Sequence, residues 1–576
     1  MSHSVRMSEP LPRRYPPATL TPAAAPPSNA SDMHTAVVER SAFGRVCGVL
    51  LGLAATIGAT YVLPPLASLR PWTPEGEYVP FWNVVGRELL KEGEKLEAEA
   101  AELEKLREAT AMVPARVHER PKPVEQPEPA KAPEPVFPPF TPEEPVKAPK
   151  HGIESVEVLE PFFRKLTLAE MGVPGAIVRA GHWGDSVIGV DGITSGIRRR
   201  LQSRFGDAGH GFHLMDRYHP SYRQQNIEFR PGRGWNLCLI INNCSKQDAR
   251  YGYGGLIAQT KNGADAWWGA PEEGFSSTLS VFELWFARQE NGGTLEIVID
   301  GQETIAVDTR GPHLEDAWHM VYVPPGRHHF TVRAKGNVRA YGVVLENDGP
   351  GVVWDGISHI GGSPRGLRLQ DPEHIKSQIR HRDLDLVVFM YGGNDLYRGS
   401  ELRRSMEPYY REYGEAIQKY RAAKPDLACL VMSLTDHGER APDGTIVSRK
   451  IAKIFADAQR EVARRNGCAF FDTYEAMGGE GTVARWFRAR PRLIYQDLAH
   501  PTGAGHEIIA GLFTNALLYA YEEYRTRMAG KPLPELTERR RAAEAYSGEA
   551  KPAPGADDQN AMGDDPGGAA TTERNP

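Results

Sequence analysis

Leu384-Asp385-Leu386-Val387-Val388-Phe389-Met390-Tyr391 runs directly into Gly392-Gly393-Asn394-Asp395. A nearly unbroken apolar run of this length marks a strand buried on both faces, as in a parallel sheet covered by helices. The polar loop that follows stands at the carboxyl end of that strand, where open α/β sheets place their ligands, and an asparagine amide there can donate to an oxyanion. Working upstream, Ala176-Ile177-Val178-Arg179-Ala180 is a second strand-like run. It leads into Gly181-His182-Trp183-Gly184-Asp185-Ser186, after which residues 191–205 read as an amphipathic helix. Ser186 therefore sits at a strand-to-helix junction, with the first N–H groups of the helix aimed at any nearby anion. The segment is not Gly-x-Ser-x-Gly, which excludes the nucleophile elbow of the α/β-hydrolases. Taken alone, such a serine reads equally well as a helix N-cap. Working downstream, Asp497-Leu498-Ala499-His500 places an acid three residues before a histidine, just ahead of a helix beginning near Gly503. On one loop the carboxylate can orient the imidazole, whose other nitrogen can then take a proton from a serine.

Together these loops resemble the SGNH (GDSL) hydrolase superfamily, matching its first block at Gly184-Asp185-Ser186, its third at Gly392-Gly393-Asn394-Asp395 and its fifth at Asp497-Leu498-Ala499-His500. The resemblance implies a flavodoxin-like three-layer α/β/α fold. It also implies Ser186 as nucleophile, His500 as base, Asp497 as orienting acid, and an oxyanion hole from the Ser186 N–H, the Asn394 side chain and a second-block glycine. Gly351-Val352-Val353-Trp354-Asp355 resembles the strand entering that second block, and counting onward reaches Gly361, with Gly362 as the alternative. Val187 replaces the family's usual leucine, and Asp395 reads as a hydrogen-bond acceptor fixing its own loop.

Between Ser186 and Gly361 lie 174 residues, too many for the helix and strand expected there. From about 216 to 345 the pattern becomes that of an all-β sandwich. Trp235–Ile241, Leu279–Trp285 and Leu295–Ile305 are strand-like, and Asp300-Gly301 signals a hairpin. This organisation is similar to the bacterial peptidoglycan O-acetylesterases and the related O-acetyltransferases, in which a β module resembling a carbohydrate-binding domain interrupts the SGNH fold. The run Arg198–Gly209 also resembles that group's first helix and glycine turn. The resemblance implies removal of O-acetyl groups from a cell-envelope glycan, an O-acetylated polysaccharide or peptidoglycan, through an acyl-enzyme on Ser186. An O-acetyltransferase and a non-catalytic glycan-binding tether are the other readings, and the joint presence of Ser186, Asn394, Asp497 and His500 argues against the tether. Trp267 and Trp268, adjacent on a strand, point to opposite faces and read as core before they read as sugar platforms. His328 and His329 cannot aim at one metal from one face of a strand, and no H-E-x-x-H exists, so no metal or cofactor is required.

Composition bounds the rest. The 576 residues carry 68 Lys and Arg against 74 Asp and Glu, a net charge of -6, which recommends no nucleic-acid partner. The five cysteines (Cys47, Cys238, Cys244, Cys429 and Cys468) form no regular framework; Cys238 and Cys244 could pair in an oxidising compartment, but read first as buried thiols. No charge occurs from Val46 to Leu69, long enough for a single transmembrane helix at 46–66. Arg6, Arg13, Arg14, Arg40 and Arg45 precede it, so 1–45 is expected in the cytoplasm of a bacterial inner membrane, with the catalytic part facing the periplasm or exterior. Residues 67–112 then read as a juxtamembrane stalk containing a solvated helix, and 113–150 as a Pro-rich linker. Those 38 linker residues, at about 3.1 Å each, reach about 100 Å. The SGNH domain is expected in two parts, 151–215 and 346–530, around the insert at 216–345, with a disordered tail at 531–576.

Overall fold

The computed structural model describes residues 48, 51–52, 55–63, 98–111, 135–142, 144–241, 244, 248–398, 402 and 404–536. The chain divides into two compact units, Met1–Glu99 and Ala100–Pro576. In the first, residues 51–52 and 55–62 are helical, and the rest of the expected 46–66 span lies mostly outside the described residues. Among the described residues no helix is long and apolar enough to cross a membrane.

The second unit is built on a six-stranded sheet of β1 (Ile153–Glu154), β2 (Ile177–Gly184), β3 (Gly351–Ser358), β4 (Leu386–Met390), β5 (Ala428–Met432) and β6 (Ala469–Phe471). Its order is β1-β6-β5-β4-β2-β3; β1 is antiparallel to β6 and every other pairing is parallel. The five parallel strands thus run in the flavodoxin-like order, with the topological switch between β2 and β4. Six helices flank the sheet: α1 (Glu160–Glu170), α2 (Gly192–Phe205), α3 (Pro372–Arg382), α4 (Glu407–Arg421), α5 (Lys450–Arg465) and α6 (Gly503–Met528). Strand β4 shows why both faces are covered. Leu386, Val388 and Met390 of β4 pack with Phe163 of α1, Ile197 of α2 and Phe513 of α6. Val387 and Phe389, which point the other way, pack with Ile379 of α3, Ile417 of α4 and Phe455 of α5. The expected α/β/α layering is therefore present.

The insert forms two further sheets. One joins strands 303–308, 294–299, 329–335, 264–269 and 228–230; the other joins 315–326, 279–288, 338–346, 256–260 and 236–239, with Gly209–Leu214 added against 338–346. These β sheets therefore begin at Gly209 and not at 216, because Gly209–Leu214 pairs across more than a hundred residues with a strand its local sequence cannot announce. Asp300 and Gly301 have φ of 51° and 74°, the conformation their hairpin turn requires. Leu279–Arg288 is buried on both faces. Leu284 and Phe286 face the insert's own core, whereas Trp285 packs into the core shared with α3 and α4. The seam is charged as well as apolar: Glu346 meets Arg179 at 2.8 Å and Arg382 at 2.6 Å, and Arg382 also holds Asp355 at 2.8 Å.

Segments expected to be loose are partly packed. Leu103 and Leu106 lie against the α6 side of the core, and a Cβ on Gly511 would stand 2.5 Å from that of Thr110, so the end of the stalk helix is docked, not solvated. Of the Pro-rich stretch, Phe137 is fully buried and exchanges backbone hydrogen bonds with Lys531 and Gly530 at 2.9 Å each. Leu533, placed in the expected tail, is also fully buried. Isolated apolar residues in a proline- or charge-rich context supply these anchors. The structure further brings Cys238 to Cys244 and Cys429 to Cys468 as disulfides, correcting the buried-thiol reading. Cys429 on β5 and Cys468 at the entry to β6 are neighbours only once the sheet has formed.

Candidate active site

Three loops at the carboxyl edge of the sheet converge at the switch point. After β2, Asp185 caps the short turn Ser186–Ile188, its Oδ1 accepting from the Val187 N–H at 3.0 Å. Its Oδ2 accepts from the N–H groups of Gly392 and Gly393 at 3.1 and 3.2 Å, tying the serine loop to the loop after β4. Burial pushes the Asp185 carboxyl up, opposed by these N–H donors. On the opposite side, Ser186 Oγ lies 2.8 Å from His500 Nε2, and His500 Nδ1 lies 2.8 Å from Asp497 Oδ2. A carboxylate only accepts, so Nδ1 carries the proton and Nε2 presents a lone pair to the serine hydroxyl. Asp497 Oδ1 accepts from the N–H groups of Ala499 and His500 at 3.0 Å each. Burial raises the Asp497 carboxyl, but these N–H groups and the imidazole outweigh it and hold it below the usual carboxylate range. Leu498 between them has φ of 58°, a left-handed conformation costly for a branched residue. Its buried side chain and the 2.7 Å bond from the Gly438 N–H to its carbonyl hold it there.

After β3 comes the turn His359-Ile360-Gly361-Gly362, closed by the Gly362 N–H donating to the His359 carbonyl at 2.7 Å. Gly361 has φ of 83°, as the third residue of a type II turn requires. Asn394 Nδ2 donates to the Gly362 carbonyl at 2.8 Å, joining this turn to the β4 loop. The Gly362 N–H is thus spent on the turn, while those of Gly361 and Ser186 have no partner among the described residues. A recess of about 80 Å³ is lined by Ser186, Asn394, His500, Gly393, Thr435 and His437, among others. Gly361 does not line it and opens on a neighbouring groove.

Residues 331–508 match the GDSL-like lipase/acylhydrolase family. The chain carries an SGNH hydrolase domain. The matched stretch begins in the last strands of the β insert and contains Gly361, Asn394, Asp497 and His500, whereas Ser186 lies before the insert and outside the match. A solved structure of a peptidoglycan O-acetylesterase in action has the same fold, with a TM-score of 0.53 and 19% identity over 64% of this chain and 97% of that one. A salicylyl-acyltransferase from a tetracycline biosynthetic pathway aligns at 14% identity over 53% of this chain and 96% of its own, with a TM-score of 0.24. An acetyl xylan esterase aligns at 16% over 29% and 80%, with a TM-score of 0.22. No curated protein sequence matches the chain. The SGNH domain is that of an ester hydrolase.

Within the SGNH domain the structure brings Ser186, Asn394, Asp497 and His500 together, and Asn394 bonds Gly362, the residue after Gly361. Asp395 is buried, and burial pushes its carboxyl up to about 7 against the pull of Arg398. Trp268 is core, as its position on the strand implied, while Trp267 stacks on His329 with ring centroids 5.2 Å apart. His328 is bonded to Asp300 at 2.8 Å.

Three neighbours of the site went unread in the sequence. His437 lines the recess, its Nδ1–H donating to the Thr435 carbonyl at 2.8 Å, and burial pushes it down to about 4. Its only signal was a polar loop following β5. Tyr218, from the insert, donates to the Ser358 carbonyl at 2.8 Å and accepts from the Ile360 N–H at 3.1 Å. His359 has Nδ1 2.9 Å from the Tyr391 hydroxyl and Nε2 3.0 Å from the Gly254 carbonyl. The Gly361 turn is therefore held from both sides by the insert, a pairing across some hundred residues that leaves no local trace.

Proposed function

We propose that the protein is a serine-dependent carbohydrate esterase that removes O-acetyl groups from a cell-envelope glycan through an acyl-enzyme on Ser186. The observation that carries this reading is the unbroken chain Ser186–His500–Asp497, at 2.8 Å for each link, opening on a recess small enough for a short acyl group. His500 Nε2 takes the Ser186 proton as Oγ attacks the acetyl carbonyl carbon. In this reading the oxyanion sits at the edge of the recess beside the Asn394–Gly362 bond, where the Ser186 N–H, the free amide hydrogen of Asn394 and, from the groove side, the Gly361 N–H receive it. His500 then gives its proton to the departing sugar oxygen, leaving acetyl-Ser186. Water, deprotonated by the same nitrogen, attacks the acyl carbon and releases acetate and the serine.

Glycan acetyl groups are favoured as substrate by the likeness in organisation to the O-acetylesterase structure, with a β insert packed on the domain. An envelope location is supported by the charge-free stretch at 46–69 behind five arginines and by two disulfides, which persist in oxidising compartments. The reading places the span at 46–66 in the inner membrane and the catalytic unit outside. Acetate release from an O-acetylated glycan by the full chain, with Ser186→Ala beside it and a soluble sugar acceptor added in parallel, tests it. Free acetate from wild type alone supports the esterase. Acetyl groups appearing on the acceptor would make it a transferase, and no turnover by folded protein would leave a glycan-binding tether.

A further inference from the structure

Beside the recess lies a second and larger cavity of about 920 Å³, within the usual range of about 300–1,000 Å³ for ligand pockets. Gly361, Gly362 and the short helix Pro364–Leu367 form one wall, and α4 forms the other. The two are neighbours: Asn394 lines the recess, Gly362 lines the groove, and Asn394 Nδ2 bonds the Gly362 carbonyl at 2.8 Å, so the groove begins one residue contact from the recess, on the side of the oxyanion turn. The recess has room for a short acyl group and none for a sugar, whereas the groove has room for several rings.

The groove's charges are unevenly matched. Its two carboxylates, Glu412 and Glu415, are engaged with Arg368 at 3.6 and 2.5 Å, and Glu412 also with Arg398 at 2.9 Å. Lys376 is paired with Glu373 at 2.8 Å. Two cations in the lining form no ion pair among the described residues, though Lys419 feels Asp371 and Glu415 and Arg365 feels the buried Asp395. The Lys419 ammonium points at the carbonyls of Arg368 and Gln370. Arg365, four residues after Gly361, is exposed and makes no ion pair. A guanidinium so placed presents its planar fork of donors to an incoming carboxylate.

We infer that this groove binds the alcohol half of the ester and that Arg365 pairs with a carboxylate carried there, so that the preferred substrate is an O-acetylated acidic glycan. The inference rests on the esterase reading above. In the experiment, the full-length protein is given three substrates: an O-acetylated sugar bearing a carboxylate, the same compound with that carboxylate converted to its carboxamide, and 4-nitrophenyl acetate. Wild type should favour the carboxylate over the carboxamide in kcat/KM by about 10- to 100-fold, the range expected of a charge-assisted pair, and added salt should shrink that preference. Arg365→Ala should abolish the preference while leaving the carboxamide and 4-nitrophenyl acetate rates unchanged, and Arg365→Lys should restore part of it. Equal rates on carboxylate and carboxamide by wild type, or an Arg365→Ala loss shared by all three substrates, would overturn the inference and leave the esterase intact. Failure of wild type on all three would remove the esterase reading and this inference with it.

Discussion

Replacing Tyr218 by Phe removes one hydroxyl and nothing else from the wall behind the oxyanion turn. That hydroxyl makes two hydrogen bonds, to the Ser358 carbonyl at 2.8 Å and from the Ile360 N–H at 3.1 Å. At about 0.5–1.5 kcal/mol for each bond, the variant should lose about 1–3 kcal/mol of stability. In a folded unit of this size, whose unfolding entropy grows with length, that is a fall in Tm of about 1 °C per kcal/mol. The kinetic effect should exceed what that loss explains. Ile360 precedes Gly361, whose N–H is one proposed oxyanion donor, and losing such a donor outright costs about 100- to 1,000-fold in kcat. A displaced donor should cost less, so we expect kcat for acetate release to drop about 10- to 100-fold with KM within about twofold. Initial rates over a range of an acetyl ester, with thermal denaturation of the same preparation, measure both. A lowered Tm with wild-type kcat would refute the reasoning, because the turn would then keep its geometry without the insert's hydroxyl.

Asn394→Ala removes an oxyanion donor and the 2.8 Å bond to Gly362 together; kcat should fall at least 100-fold, and steady-state rates check it. Asp497→Asn should lower kcat by about 10,000-fold, as expected when the base is held in the wrong tautomer, while Tm changes little because Asp497 is exposed. In Glu346, burial pushes the carboxyl up, but Arg179 and Arg382 outweigh it and hold it at about 2. Its folded value lies below the unfolded value of about 4.3, so its contribution is complete above that pH and is lost as pH falls toward 2. Tm measured across that interval should decline in wild type and decline less in Glu346→Gln. At neutral pH the same variant should be destabilised by about 1.5–3 kcal/mol, because half-buried Arg179 loses its carboxylate while buried Arg382 keeps Asp355.

What the sequence made legible was local. Leu384–Tyr391 announced a doubly buried strand, observed as Leu386–Met390, and residues 191–205 announced the helix Gly192–Phe205. Ser186, Asn394, Asp497 and His500 could be found because each stands at the end of a strand or on a loop just before a helix, where the chain's own pattern changes. The remainder depended on contacts between distant segments. Gly209–Leu214 reads as the end of one domain until it pairs with Val338–Glu346. Cys429 and Cys468 become neighbours only through the parallel pairing of β5 with β6. Phe137 and Leu533 are single apolar residues in segments whose composition alone argues against packing, and both are fully buried. Tyr218 and His359 are aromatic residues of ordinary context, and only the folded chain shows that they prop the oxyanion turn.

The central claim is that Ser186 carries the acyl group. Intact-mass analysis of the full-length protein, quenched in acid within the first turnovers on an activated acetyl ester, measures it directly. An acyl-enzyme on Ser186 should appear as one added acetyl group, mapped to the peptide containing Ser186, present in wild type and absent from Ser186→Ala. An acetyl group found on another residue, or catalytic turnover retained by Ser186→Ala, would contradict it.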